Sequence, residues 1–166
     1  SLVVHNVYAI ANLFYLGTYL IVAFVTTIVS RKLGYSRPVS YLVAILYSFS
    51  TYISLRYAHM WLVPYYMLPL ACYIGLRIAK AQTDVASKEA LKKQYPYLML
   101  LSFACGFTGV YYAFFSCAVF MIAIVINFLT SDYKKVSIRF KEAFRHIVFV
   151  GLTGAGVIVK MIPNLM

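Results

Sequence analysis

Thirteen of the fifteen basic residues in this 166-residue chain fall in three short clusters, and the stretches between the clusters are almost free of charge. The clusters are Arg31, Lys32 and Arg37; Arg77, Lys80, Lys88, Lys92 and Lys93; and Lys134, Lys135, Arg139, Lys141 and Arg145. Between them lie apolar runs of 16 to 35 residues, and about 20 apolar residues are enough to cross a bilayer core as a helix. Charged residues make up 11% of the chain, against about a quarter in soluble domains, and the mean hydropathy is +0.83. The expected fold is therefore all-α, a polytopic integral membrane bundle with about six membrane segments, one of them partial or re-entrant. A net charge of +11 would suggest nucleic acid in a soluble protein. Clustered at the margins of apolar runs, the same charge points instead to anionic headgroups and to cytoplasmic loops at 31–37, 77–93 and 134–145.

The expected spans are residues 7–29, 39–54, 60–79, 96–105 (partial), 110–130 and 147–162, forming a single transmembrane region. The first lacks the basic flank and small-residue site of a signal peptide. It ends at Lys32-Leu33-Gly34, and Pro38 suits the first turn of the next helix. Pro69 predicts a kink or break near residues 65–69, and residues 80–94 read as a polar loop. The apolar stretch 96–130 is too long for one crossing, and Gly106-Phe107-Thr108-Gly109 offers a turn. A hairpin there keeps all three cationic clusters on one face. Over 134–146, Val136, Phe140, Ala143, Phe144 and Ile147 alternate with Lys135, Arg139, Glu142 and Arg145 at helical spacing, the pattern of an interfacial amphipathic helix. Gly151, Gly154, Ala155 and Gly156 give the last span a small-residue face. The chain begins at Ser1 without an initiator Met and stops at Met166 without a polar tail, so it is expected to be a piece of a longer polytopic protein.

Arg56 and His59 stand in a turn between two uncharged runs, flanked by Tyr52, Tyr57, Trp61, Tyr65 and Tyr66. Two readings are open. The turn can rest among headgroups, or the pair can bind an anionic group, with Arg supplying a forked donor and His an imidazole that titrates near neutrality. Tyr111 and Tyr112 follow the expected hairpin turn on the same outer face, where rings anchor the interface or stack on a sugar or isoprenoid. His5 and Asn6 cap the first span or line the same cavity. Lys160 snorkels or faces a cavity, and His146 reads as a snorkelling surface residue. Cys72, Cys105 and Cys117 lie inside apolar runs without metal spacing and read as small buried hydrophobes. The carboxylates Asp84, Glu89, Asp132 and Glu142 all belong to the cytoplasmic loops. The outer face thus lacks a general base and a coupling-ion carboxylate, and no phosphate loop, zinc signature or nucleophile elbow is present. No cofactor is expected for this piece.

Several stretches resemble bacterial polytopic glycosyltransferases of the GT-C superfamily. They are RKLGYSRP at 31–38, ILYSFSTYISLRYAHMWLVPYYMLPL at 45–70, GVYYAFF at 109–115 and IPNLM at 162–166. The resemblance implies an enzyme of the bacterial inner membrane that transfers a sugar from a polyprenyl-phosphate-linked donor at the extracytoplasmic face. Its catalytic Asp would precede Ser1. It further implies that Arg56 and His59 contact the donor phosphate, and that Tyr65, Tyr66, Tyr111 and Tyr112 contact sugar or isoprenoid. The expected partners are membrane lipids and the lipid-linked donor, with no nucleic acid. The competing expectations are a non-enzymatic carrier or flippase for a lipid-linked sugar, and a structural membrane subunit.

Overall fold

A computed structural model describes residues 7–50, 65–81, 85–131 and 136–164. Among these residues all regular structure is helical: α1 (Val7–Lys32), α2 (Arg37–Ser48), α3 (Met67–Lys80), α4 (Val85–Thr108), α5 (Val110–Leu129), α6 (Val136–Arg145), α7 (Ile147–Met161) and a closing 3-10 turn, Ile162–Asn164. They fall into two compact units, Ser1–Pro69 and Leu70–Met166.

In the first unit α1 and α2 pack together as a helical hairpin. Their turn is a Schellman motif: the Gly34 N–H donates to the Arg31 carbonyl at 3.1 Å and the Tyr35 N–H to the Ser30 carbonyl at 3.2 Å. Gly34 has φ of +95°, which glycine adopts without the steric cost a Cβ would bring. Ser36 is the N-cap of α2 and Pro38 lies in its first turn, where a missing N–H leaves no hydrogen bond unmade. At the far end of the hairpin the Tyr19 and Phe49 rings stack at 5.4 Å.

The second unit is built on the crossing of α4 with α7. Both helices place glycine where a Cβ would strike backbone: at Gly106 it would meet the Thr153 carbonyl oxygen, and at Gly156 that of Phe103. Between these two points Thr153 Oγ1 donates to the Ser102 carbonyl at 3.0 Å. Phe120 and Phe149 fill the core beside them. Asn127 Nδ2 donates to the Ile78 carbonyl at 2.7 Å, tying α5 to α3, and the Tyr73 hydroxyl donates to Gln94 Oε1 at 3.1 Å, tying α3 to α4.

Small polar residues are buried within the core, and many large apolar ones are exposed. Thr18, Thr26, Ser40, Ser102, Ser116, Asn127 and Thr153 are buried, while Leu13, Phe24, Phe114, Leu129 and Ile158 are exposed. A hydrocarbon solvent favours this arrangement, because small hydroxyls let helix backbones approach and the apolar side chains face lipid at no cost. Three helical stretches are long and apolar enough to cross a membrane: Ala9–Lys32, Val110–Leu129 and Val136–Met161, the last comprising α6 and α7. This is consistent with an integral membrane protein.

Several expectations are corrected. Among the described residues three span-length helices stand where about six segments were expected. The 12 residues of α2 and the 14 of α3 reach only about 18 and 21 Å, short of a hydrocarbon core of about 30 Å. Residues 85–94 are helix, not loop, and the segment expected as a partial helix at 96–105 belongs to a 24-residue helix that runs through Pro96. The proline removes one backbone bond, but its neighbours Gln94 and Tyr95 are held by Tyr73 and by the Arg145 carbonyl. At 65–69, where a kink or break was expected, α3 begins at Met67 after a turn at Tyr65–Tyr66, and Pro69 falls in its first turn. The hairpin break lies at Gly109 alone, and Gly106 is a packing residue inside α4. Cys72 is exposed and Cys117 half-buried, so of the three cysteines only Cys105 is a core residue.

Candidate functional site

The second unit has two chemically unlike ends. Helix α4 runs from Lys88, Lys92 and Lys93 to Thr108, the chain reverses at Gly109, and α5 leads back. Helix α7 leads from His146 to Lys160. The cations Lys80, Lys88, Lys92, Lys93, Arg139, Lys141 and Arg145 therefore collect at one end, together with Glu89 and Glu142, the carboxylates among the described residues. The end at Gly109 carries Lys160, Tyr111 and Tyr112.

At the Gly109 end the geometry is specific. Lys160 Nζ donates to the Thr108 carbonyl at 2.6 Å, one of the acceptors left over where a helix ends. A Cβ on Gly109 would lie 4.0 Å from both Lys160 Nζ and Tyr112 Cδ2. The missing side chain thus lets the ammonium and the ring approach one backbone position. Tyr112 is 2% exposed and Tyr111 is 63% exposed. The two adjacent tyrosines differ because successive residues on a helix point about 100° apart. Tyr111 is the ring free to meet a ligand or lipid, whereas Tyr112 is part of the packing. Lys160 keeps two further ammonium protons for an anionic oxygen.

In the first unit Tyr65 is 2% exposed. Its hydroxyl donates to the Ser48 carbonyl at 2.7 Å, and the Tyr47 hydroxyl donates to the Tyr65 carbonyl at 3.3 Å. Burial pushes the Tyr65 hydroxyl, which precedes α3 and lies outside the span-length helices, up to about 12, so it stays a protonated donor. Tyr65 closes the end of α2, and its ring meets Tyr47 edge-on at 5.2 Å. Tyr66 is half-buried. Arg56, His59, His5 and Asn6 lie outside the described residues.

His146 is not the surface residue expected. It is 4% exposed, joins α6 to α7 through hydrogen bonds from its N–H to the Ala143 carbonyl and from the Phe149 N–H to its own carbonyl, and stacks on Phe149. Nothing local in the sequence announces this. The residues that cover it, Tyr95 on α4 among them, are remote in the chain. Among the described residues no three His, Cys, Asp or Glu side chains come together as metal ligands do.

Among the described residues, fold and surface together define an all-helical protein with many large apolar side chains exposed, small polar residues buried within an aromatic and aliphatic core, and a strong charge asymmetry along its second unit. Comparison with protein-family models, with curated proteins and with solved structures found no match to this chain.

Proposed function

We propose that this chain forms part of the membrane region of a GT-C-type glycosyltransferase, which transfers a sugar from a polyprenyl-phosphate-linked donor at the extracytoplasmic face of a bacterial inner membrane. The observation that carries this reading is the Gly109 end of the second unit. There the stretch GVYYAFF, which resembles that superfamily, carries the exposed ring of Tyr111, and the adjoining Thr108 carbonyl is reached by Lys160 from α7, the one cation among the described residues at the end away from the clustered cations. Under the positive-inside rule the clustered end is cytoplasmic and the Gly109 end faces outward.

The chemistry is displacement at the anomeric carbon. An acceptor hydroxyl attacks that carbon, its proton passes to a carboxylate, and the bond to the polyprenyl phosphate breaks with the electron pair leaving on phosphate oxygen. The described carboxylates Glu89 and Glu142 lie at the cationic end, and the resemblance assigns the base to a catalytic Asp that is not among them. Arg56 and His59, by the resemblance, are the contacts for the departing phosphate, and Tyr65, Tyr66, Tyr111 and Tyr112 are the contacts for sugar or isoprenoid. Of these, Tyr111 has an exposed ring, whereas Tyr65 and Tyr112 are buried, each within its own unit. Lys160 adds a cation that steadies developing phosphate charge.

The decisive experiment reconstitutes the full-length protein with a short-chain polyprenyl-phosphate sugar and measures transfer to an acceptor. Transfer that falls at least tenfold in Arg56→Ala, a loss of about 1.4 kcal/mol of transition-state stabilisation, supports the enzyme. Movement of the donor across the bilayer without transfer establishes a carrier instead, and unchanged activity in Arg56→Ala and His59→Ala leaves a structural subunit.

A further inference from the structure

The cationic end of the second unit contains a small cavity of about 40 Å³ to which Lys88, Lys92, Tyr95, Glu142, Arg145 and His146 contribute. A space of that size holds two or three waters or one small ion (one water needs about 10–15 Å³). His146 lines it while almost wholly buried, and its Nδ1 has no hydrogen-bond partner among the described residues. The ring is held in place by Phe149, stacked at 6.3 Å, and by Tyr95 at 6.1 Å. Arg145 is fixed as well: its guanidinium lies 5.4 Å over the Tyr95 ring, and the Tyr95 hydroxyl donates to the Arg145 carbonyl at 2.9 Å. Glu142 meets Lys88 at 3.7 Å and offsets one charge. Three cations against one carboxylate leave an excess of two positive charges around the cavity, among the described residues.

Buried polar atoms are rarely left unpaired, and a nitrogen left so beside a cavity points to something that fills it. From these features we infer that the cavity binds one phosphate group, its oxygens accepting from Lys88, Lys92 and Arg145, with His146 Nδ1 donating the remaining bond. Phosphate matches the site in three ways. It carries one or two negative charges, it accepts bonds from several directions at once, and its oxygens suit both the guanidinium fork and an ammonium. In its neutral form the imidazole donates from Nδ1 in one tautomer, so the site works without charging the ring. The phosphate comes either from an anionic lipid headgroup or from solution. A neighbouring apolar groove of about 290 Å³, lined by Phe128, Phe140, Phe144 and Ile147, has the character an acyl chain requires. This site is independent of the activity proposed for the opposite end.

The test uses the full-length protein in phosphatidylcholine nanodiscs and follows thermal unfolding while inorganic phosphate is added, with chloride at equal ionic strength as control. A second series replaces part of the phosphatidylcholine with phosphatidylglycerol. The midpoint rises with phosphate or with phosphatidylglycerol and not with chloride. A rise with phosphate alone identifies the free ion, and a rise only with phosphatidylglycerol identifies the lipid. In Lys92→Gln, which alters an exposed side chain and leaves the core intact, and in His146→Gln, the effective concentration increases about tenfold. No rise with either probe, or a rise of unchanged size in both variants, overturns the proposal.

Discussion

Thr153 Oγ1 donates to the Ser102 carbonyl at 3.0 Å, across a helix crossing so close that neither Gly106 nor Gly156 has room for a Cβ. One hydrogen bond and two absent methyl groups thereby hold α4 on α7 and set the frame of the second unit.

Gly106→Ala and Gly156→Ala each force backbone apart and are expected to cost about 3 kcal/mol. Gly151 lies on the same helix with nothing within 4 Å of a Cβ. Gly151→Ala should be neutral or stabilising by up to about 1 kcal/mol, because alanine is the better helix former. Thermal unfolding in detergent separates the two outcomes. Equal midpoints for all three variants contradict the close crossing.

Thr153→Val keeps the shape of the side chain and removes its donor. A loss of about 1 kcal/mol is expected, the usual size of an interhelical side-chain bond within a membrane protein. Asn127→Leu removes the bond to the Ile78 carbonyl and should cost a similar amount. The two sites hold different helix pairs, so the double variant should show nearly additive losses.

Tyr65→Phe removes the hydroxyl that donates to Ser48 and should cost about 1 kcal/mol, with the ring still packed on Tyr47. The pH dependence has a definite sign. Folding raises this hydroxyl from 10.0 to about 12 through desolvation, so its contribution is complete below pH 10 and is lost as pH rises through about 12. Alkaline unfolding of the wild type and of Tyr65→Phe should converge in that window.

Sidedness is open to direct labelling. With Cys72, Cys105 and Cys117 replaced by alanine, Tyr111→Cys and Lys141→Cys place single thiols on exposed positions at opposite ends of the second unit. An impermeant maleimide added to intact cells should label Tyr111→Cys and spare Lys141→Cys until the membrane is opened. The reverse pattern inverts the topology.

Lys160→Met leaves the Thr108 carbonyl without its ammonium partner. It should cost about 0.5–1 kcal/mol, the usual scale of a cation at a helix C-terminus. Far-UV circular dichroism should report normal helix content at room temperature, with the loss visible only on heating.

Composition and charge spacing alone determined that this protein is helical and apolar, and that its cations gather between long uncharged runs. They also marked the stop of α1 at Gly34 and the start of α2 near Pro38, because those signals are local: a glycine that accepts positive φ, and a proline whose missing N–H is harmless in a first turn. The tertiary structure alone decided which polar groups are buried and which glycines turn the chain. Gly106 and Gly109 carry the same turn signal, yet one packs against Thr153 and the other breaks the hairpin, a difference made by a helix about 50 residues downstream. His146 reads as a surface residue because it stands at the inner boundary of the last apolar run, and it is buried because Tyr95 and Phe149 close over it. Helix periodicity reports one face of one helix. Burial depends on what the other helices bring to that face.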